Sequence, residues 1–96
     1  LKNLAVSKHF QKQLKNLSPN EQKKTASVLK KFLHSLKEGV FPQGFGFKKI
    51  NGDKYEIRVD IQLRIAIQKD GDTLVCHVIG NHEDIKRYLK NYRKMN

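Results

Sequence analysis

The 96 residues are enough for one modest hydrophobic core and too few for two, so one domain over residues 1–96 is expected. No apolar run approaches the roughly 20 residues that cross a bilayer, and the first residues lack the apolar core of a secretion signal, so a soluble cytoplasmic protein without membrane contact is expected. With 20 Lys and Arg against 9 Asp and Glu, the net charge of +11 draws the chain toward polyanions: RNA, DNA, anionic lipid or an acidic protein.

The basic excess is concentrated at the ends, because residues 1–20 and 85–96 contain no acid. The sole methionine is Met95, so a natural start upstream of Leu1 or its removal is expected. The single Cys76 cannot close an internal disulfide, and its place in an apolar run marks it as a small buried thiol.

In chain order, "NLAVS" at 3–7 reads as a strand that runs into Ser7, a helix N-cap. Phe10, Leu14 and Leu17 then share one helical face. "SPNE" at 18–21 starts a second helix: Ser18 can cap it, Pro19 suits its first turn, and Glu21 completes a capping box. Ala26, Leu29, Phe32, Leu33 and Leu36 form its predicted apolar stripe, and Gly39 stops it. A solvated outer face accounts for most of the lysines on this hairpin.

Residues 40–50 read as a loop passing into a strand, with a tight turn at "NGD", 51–53. Alternation then takes over. In "YEIRVDI" Tyr55, Ile57, Val59 and Ile61 face one way and Glu56, Arg58 and Asp60 the other; "LRIAIQ" sets Leu63, Ile65 and Ile67 against Arg64, Ala66 and Gln68. After the turn at 70–72, Leu74, Cys76 and Val78 are predicted on one face, with Val75, His77 and Ile79 opposite. The helix hairpin needs the apolar rows to cover, which leaves a polar face where an antiparallel meander would gather Arg58, Arg64 and His77.

Asn81 can cap a last helix whose first turn holds Glu83 and Asp84. Ile85, Leu89 and Tyr92 form its predicted buried stripe, with Lys86, Arg87, Lys90, Arg93 and Lys94 in water. His82 would then stand at the rim of the polar face. By itself, a histidine at a helix start is more often structural than catalytic. On one regular helix His82 and Tyr88 diverge by about 120°, so they meet one substrate only if a groove reaches around the helix start.

Metal binding is not expected: Cys76 and His77 face opposite ways, and no third ligand has zinc-site spacing around His77 and His82. "GFGF" precedes a strand rather than a helix, so it is no phosphate loop. No cofactor is implied.

The order of strand, helix hairpin and antiparallel sheet, with "YEIRV", "LRIAI" and "GDTLVCHVIGNH" followed by a tyrosine, resembles the RelE/ParE superfamily of toxins from bacterial type II toxin–antitoxin modules. The resemblance covers nearly the whole chain and is most specific over residues 54–88. It implies an α+β fold: an N-terminal strand and helix hairpin on a small antiparallel sheet, then a C-terminal helix. It implies a cognate antitoxin as partner and, for nuclease members, metal-independent cutting of messenger RNA on the ribosome, which inhibits translation.

Carried over by position, Arg58 and Arg64 match the family's two strand arginines and would hold the scissile phosphate. His82 stands where members have an arginine or histidine, and Tyr88 matches a tyrosine beyond it. Lys54 falls on a basic strand position, whereas Glu56 replaces a second lysine and could act as base. Lys48 and Lys49 could substitute for that lysine, and His77, Lys86 and Arg87 complete the set expected to contact RNA. Two alternatives go with the resemblance: a ParE-like toxin that binds gyrase, and a catalytically inactive nucleic-acid-binding domain.

Overall fold

The computed structural model describes residues 3–95, and side chains as far as Asn91. The described residues form a five-stranded mixed sheet in the order β1-β5-β4-β3-β2. Its strands are β1 (Asn3–Val6), β2 (Phe47–Asn51), β3 (Lys54–Arg58), β4 (Arg64–Asp70) and β5 (Thr73–Gly80). The run from β2 to β5 is the antiparallel meander expected from the turns, while β1 adds in parallel along the free edge of β5. Helices α1 (Lys8–Lys15) and α2 (Pro19–Glu38) make the hairpin, and α3 (His82–Met95) follows β5. This is the α+β architecture that the sequence predicts. No described helix is long and apolar enough to cross a membrane.

Local chemistry sets the helix limits where the caps predict them. Ser7 accepts from the Phe10 amide at 3.0 Å, and Ser18 and Glu21 form a reciprocal capping box at 3.2 and 3.1 Å. Gly39 ends α2 with φ 74°, a left-handed conformation that favours glycine, and its amide returns to Ser35 O at 2.8 Å. Gln22 donates to the carbonyls of Leu14, Lys15 and Leu17, which closes the end of α1 and fixes the hairpin angle.

The main core lies between the hairpin and one sheet face, where Phe10, Phe32, Ile57, Ile65, Ile67, Leu74 and Cys76 are fully buried. A smaller core lies on the other face, where α3 sets Ile85 over Ala66 and Val78, with Tyr88 and Leu89 beside them. The expected stripe of α3 is therefore confirmed at Ile85 and Leu89; the side chain of Tyr92 lies outside the described residues.

Three expectations are corrected. Ala26 is exposed, because the buried stripe of α2 runs through Thr25, Phe32, Ser35 and Leu36. The alternation of β3 stops at Arg58: Asp60 accepts from the amides of Gln62 and Leu63 at 2.9 and 2.7 Å, closing a turn that leaves Ile61 87% exposed rather than in the core. Val78 and Ile79 have exchanged faces, since the β4–β5 register passes from Ala66↔Val78 directly to Ile67↔Cys76. His77 is the extra residue of this bulge, and one extra residue inverts the side-chain alternation beyond it. Val78 thus packs under α3, and Ile79 joins the main core.

Candidate functional site

On the sheet face away from the hairpin, strand register brings charged side chains together. Arg58 stands directly opposite Arg64, Glu56 opposite Ala66 on one side and Lys48 on the other, and Lys54 opposite Gln68. Glu56 is the hub. Its Oε2 lies 3.0 Å from Arg64 Nη1 and 3.7 Å from Lys48 Nζ. The Glu56 side chain is 5% exposed and that of Arg64 17%, so each charge depends on the other for compensation. Arg64 Nε, also buried, meets no acceptor among the described residues.

Arg58 is exposed beside this pair. Its amide donates to Gly46 O at 3.3 Å, and a Cβ on Gly46 would stand 3.1 Å from the Arg58 Cβ. Gly46, at φ 89°, thus gives the arginine its close backbone support. Two arginines on adjacent rigid strands present planar donor forks suited to phosphate oxygens.

A second polar row begins at the bulge. His77 Nε2 lies 3.0 Å from Gln68 Oε1, the Gln68 amide donates to Asp53 at 2.9 Å, and Asp53 also pairs with the buried Lys54. The Tyr88 ring stacks on the His77 ring at 5.9 Å. Burial and then the charge of Lys54 lower the His77 pKa from its ordinary 6.5, which favours the neutral imidazole. Hydrogen bonds from Lys54 and Gln68 lower the pKa of Asp53 and keep it a carboxylate. Burial pushes the Cys76 thiol up to about 12, which makes it an inert core group.

The residues singled out in the sequence therefore divide. Lys48, Glu56, Arg58 and Arg64 form one group. His77, Gln68 and Lys54 form a second, with Tyr88 over it. Arg87 pairs with Asp84 at 3.2 Å and lines a cavity of about 440 Å³ between α1 and α3, together with Ser7, His9, His77, Tyr88 and Asn91. Lys86 is exposed on α3. Lys49 stands opposite Tyr55, so it shares the other sheet face rather than the one that carries Glu56.

His82 is the exposed first residue of α3, two positions past Gly80, which faces Arg64 across β4 and β5. It lines neither the cavity beside Tyr88 nor one of about 710 Å³ bounded by Gln13, Asp60, Leu63 and Asn81. His82 and Tyr88 do not converge: Tyr88 is turned onto His77.

Sequence reading missed the residues that connect these groups. Gln68 bridges His77 to Asp53. Ser7 donates to His77 O at 3.3 Å, and Gln13 accepts from the Ile79 amide at 2.8 Å where β1 no longer covers β5. The advance signals were Gln68 on the predicted polar row and Ser7 as a predicted helix cap; nothing local identified Gln13. Among the described residues, no group of three His, Cys, Asp or Glu side chains could hold a metal ion.

No protein-family model matches the chain, and no curated protein does. Solved structures do. The chain is similar to one from a RelB–RelE antitoxin–toxin complex of Methanococcus jannaschii, at 22% identity and TM-score 0.66, over 88% of this chain and 96% of that one. It is similar to a copper-bound mutant toxin from Helicobacter pylori, at 18% identity and TM-score 0.61, over 88% and 99%. A chain from a YoeB–YefM complex of Staphylococcus aureus matches at 17% identity and TM-score 0.60, over 85% and 98%. At such identities the likeness is one of fold, and the fold is that of the RelE-type toxins.

Proposed function

We propose that this chain, with its RelE-like fold, is the toxin of a type II toxin–antitoxin module and cuts messenger RNA on the ribosome without a metal. Structural neighbours solved as RelB–RelE and YoeB–YefM complexes support a cognate antitoxin as partner. The observation that carries the reading is the group on the polar face: Arg58 opposite Arg64, with the Glu56 carboxylate 3.0 Å from Arg64.

In the proposed reaction the ribose 2′-hydroxyl attacks the adjacent phosphorus and the 5′-oxygen leaves, giving a 2′,3′-cyclic phosphate and a free 5′-hydroxyl. The site must take the 2′ proton, give one to the leaving oxygen, and offset charge on the phosphoryl oxygens. Arg58 and Arg64 serve the last task. Glu56 competes with His82 for the role of base, with His82 as the acid when Glu56 is the base. When a phosphate replaces Glu56 on Arg64, the released carboxylate becomes free to accept a proton beside that phosphate. Lys48, Lys54, Lys86 and Arg87 supply charge along the RNA path.

Inducing the chain alone should arrest growth and produce cuts in translated messages, and Arg58→Ala or His82→Ala should remove both. Intact messages with arrested growth would move the assignment to a protein target such as gyrase. One observation favours a second reading, in which the chain binds RNA without cutting it: Arg64 Nη1 is already engaged by the Glu56 carboxylate at 3.0 Å. In that case RNA binding would weaken steeply with salt and no cyclic phosphate would form.

A further inference from the structure

Strand β1 stops at Val6 opposite Cys76, so the last residues of β5 have no strand on that side, and the Ile79 amide is met instead by the Gln13 side chain at 2.8 Å. There the cavity of about 440 Å³ opens between α1 and α3. Both helices that frame it are basic: Lys8–Lys15 contains no acid, and residues 85–96 contain none. Asp84, the one carboxylate on its walls among the described residues, is already engaged by the Asn81 amide and by Arg87. The rim therefore favours an anion.

The walls ask for more than charge. The stacked rings of His77 and Tyr88 supply an aromatic side. The Gln68 amide nitrogen donates to Asp53, which leaves Gln68 Oε1 to accept from His77 Nε2 at 3.0 Å. A neutral His77 thus carries its hydrogen on Nε2 and presents Nδ1 as an acceptor. Gln13 does the reverse, because its Oε1 is taken by the Ile79 amide and its nitrogen remains a donor. An aromatic side with one acceptor and one donor suits a heteroaromatic base, and the volume is that of a small-molecule site.

We propose that this cleft binds one nucleoside phosphate, with its base against His77 and Tyr88 and its phosphate held by Arg87 at the rim. Arg87 can turn to the phosphate, because its bond to Asp84 joins two exposed side chains three residues apart and is weak. A free nucleotide and an unpaired nucleotide of an RNA chain carry the same chemistry. The cleft is separate from the arginine pair: α3 lies over Ala66 on β4 and Val78 on β5, the cleft opens at the outer edge of β5, and Arg58 stands on β3. Binding here requires no cleavage at that pair.

An amide-resolved NMR titration of the whole chain with adenosine 5′-monophosphate, ribose 5-phosphate and a short adenosine oligomer tests this. Adenine is the base of choice because it sets an amine donor beside a ring acceptor. The monophosphate should shift the amides of His9, Gln13, His77 and Asn91, and ribose 5-phosphate, which lacks the base, should bind roughly tenfold more weakly. Arg87→Ala should weaken the monophosphate roughly tenfold. Asn91→Trp, which fills the mouth of the cleft from an exposed position, should weaken it as well while the unbound spectrum stays folded. Oligomer shifts on the same amides at higher affinity assign the nucleotide to an RNA chain; shifts with the monophosphate alone assign a free nucleotide. No shift of these amides with either nucleotide, shifts confined to β3 and β4, or equal binding of ribose 5-phosphate would each overturn the proposal.

Discussion

Glu56 and Arg64 are joined across neighbouring strands by a 3.0 Å bond between groups that are almost wholly buried, and this pair links the stability of the sheet to its capacity for anions. Removing one partner of such a pair leaves an uncompensated charge, at a cost of about 3 kcal/mol. Glu56→Ala should therefore unfold at markedly lower denaturant concentration. Glu56→Gln, which keeps the shape and an acceptor oxygen, should lose less stability and bind RNA more tightly, because Arg64 no longer has a competing carboxylate. If Glu56 is the base, the Gln variant binds messages without cutting them; if it cuts them as well as the parent does, His82 is left as the base.

Arg58 and Arg64 should separate in a stability assay although they face each other. Arg58 is exposed, and Arg58→Ala should change unfolding free energy by no more than about 0.5 kcal/mol. Its effect should appear in RNA binding, with the logarithmic salt slope reduced by about one. Arg64→Ala should cost several-fold more stability, since Glu56 is then buried with Lys48, at 3.7 Å, as its remaining ion-pair partner among the described residues. Equal stability loss in the two variants would contradict the burial difference on which the assignment rests.

Much of this was legible in the residues. The caps at Ser7, Ser18 and Asn81 and the alternation of 54–58 and 64–67 are local signals, and the structure follows them. What was not legible depends on pairing at a distance. The bulge at His77 arises because β5 must pair with β4 and support β1 while placing Ile79 beneath the hairpin, and no dipeptide in "VCHVI" encodes that extra residue. Tyr88 depends on the same long-range pairing: its ring stacks on that of His77, the bulge residue, at 5.9 Å. Glu56 was visible as a departure from a basic position, but its burial required the register to Lys48 and Arg64.

The pH dependence of stability should carry the mark of His77. Its pKa in the folded chain lies below the ordinary 6.5, through burial and then Lys54. Between those two values the unfolded chain binds more protons, so stability rises with pH across the window, is complete above it, and is lost on acidification. Asp53 and Asp60, lowered from 3.8, contribute a separate loss only under more acidic conditions. Thermal unfolding at about pH 7.5 and about pH 5 should therefore show a smaller decrease for His77→Gln than for the parent. An equal decrease would assign the titration to another group.

Gly80 is where the polar face turns into α3, and it should tolerate no side chain. A Cβ there would stand 2.5 Å from Asp84 Oδ2 and 2.6 Å from its Cβ. Asp84 cannot move aside freely, because it accepts from the Asn81 amide at 2.9 Å and donates its own amide to Asn81 Oδ1 at 2.9 Å, the reciprocal cap that starts the helix. Gly80→Ala must therefore break the cap or push α3 outward, and Ile85 with it from its place over Ala66 and Val78. Overpacking together with a lost cap predicts a destabilisation of about 2–4 kcal/mol. Asp84→Gly alone, which loses the Asp84 carboxylate's half of the reciprocal cap but opens the space, should cost only about 1–2 kcal/mol. Combining the two should recover part of the Gly80→Ala loss, because the whole colliding side chain, Cβ included, is gone; a double variant as unstable as the sum of the singles would show that the clash lies elsewhere.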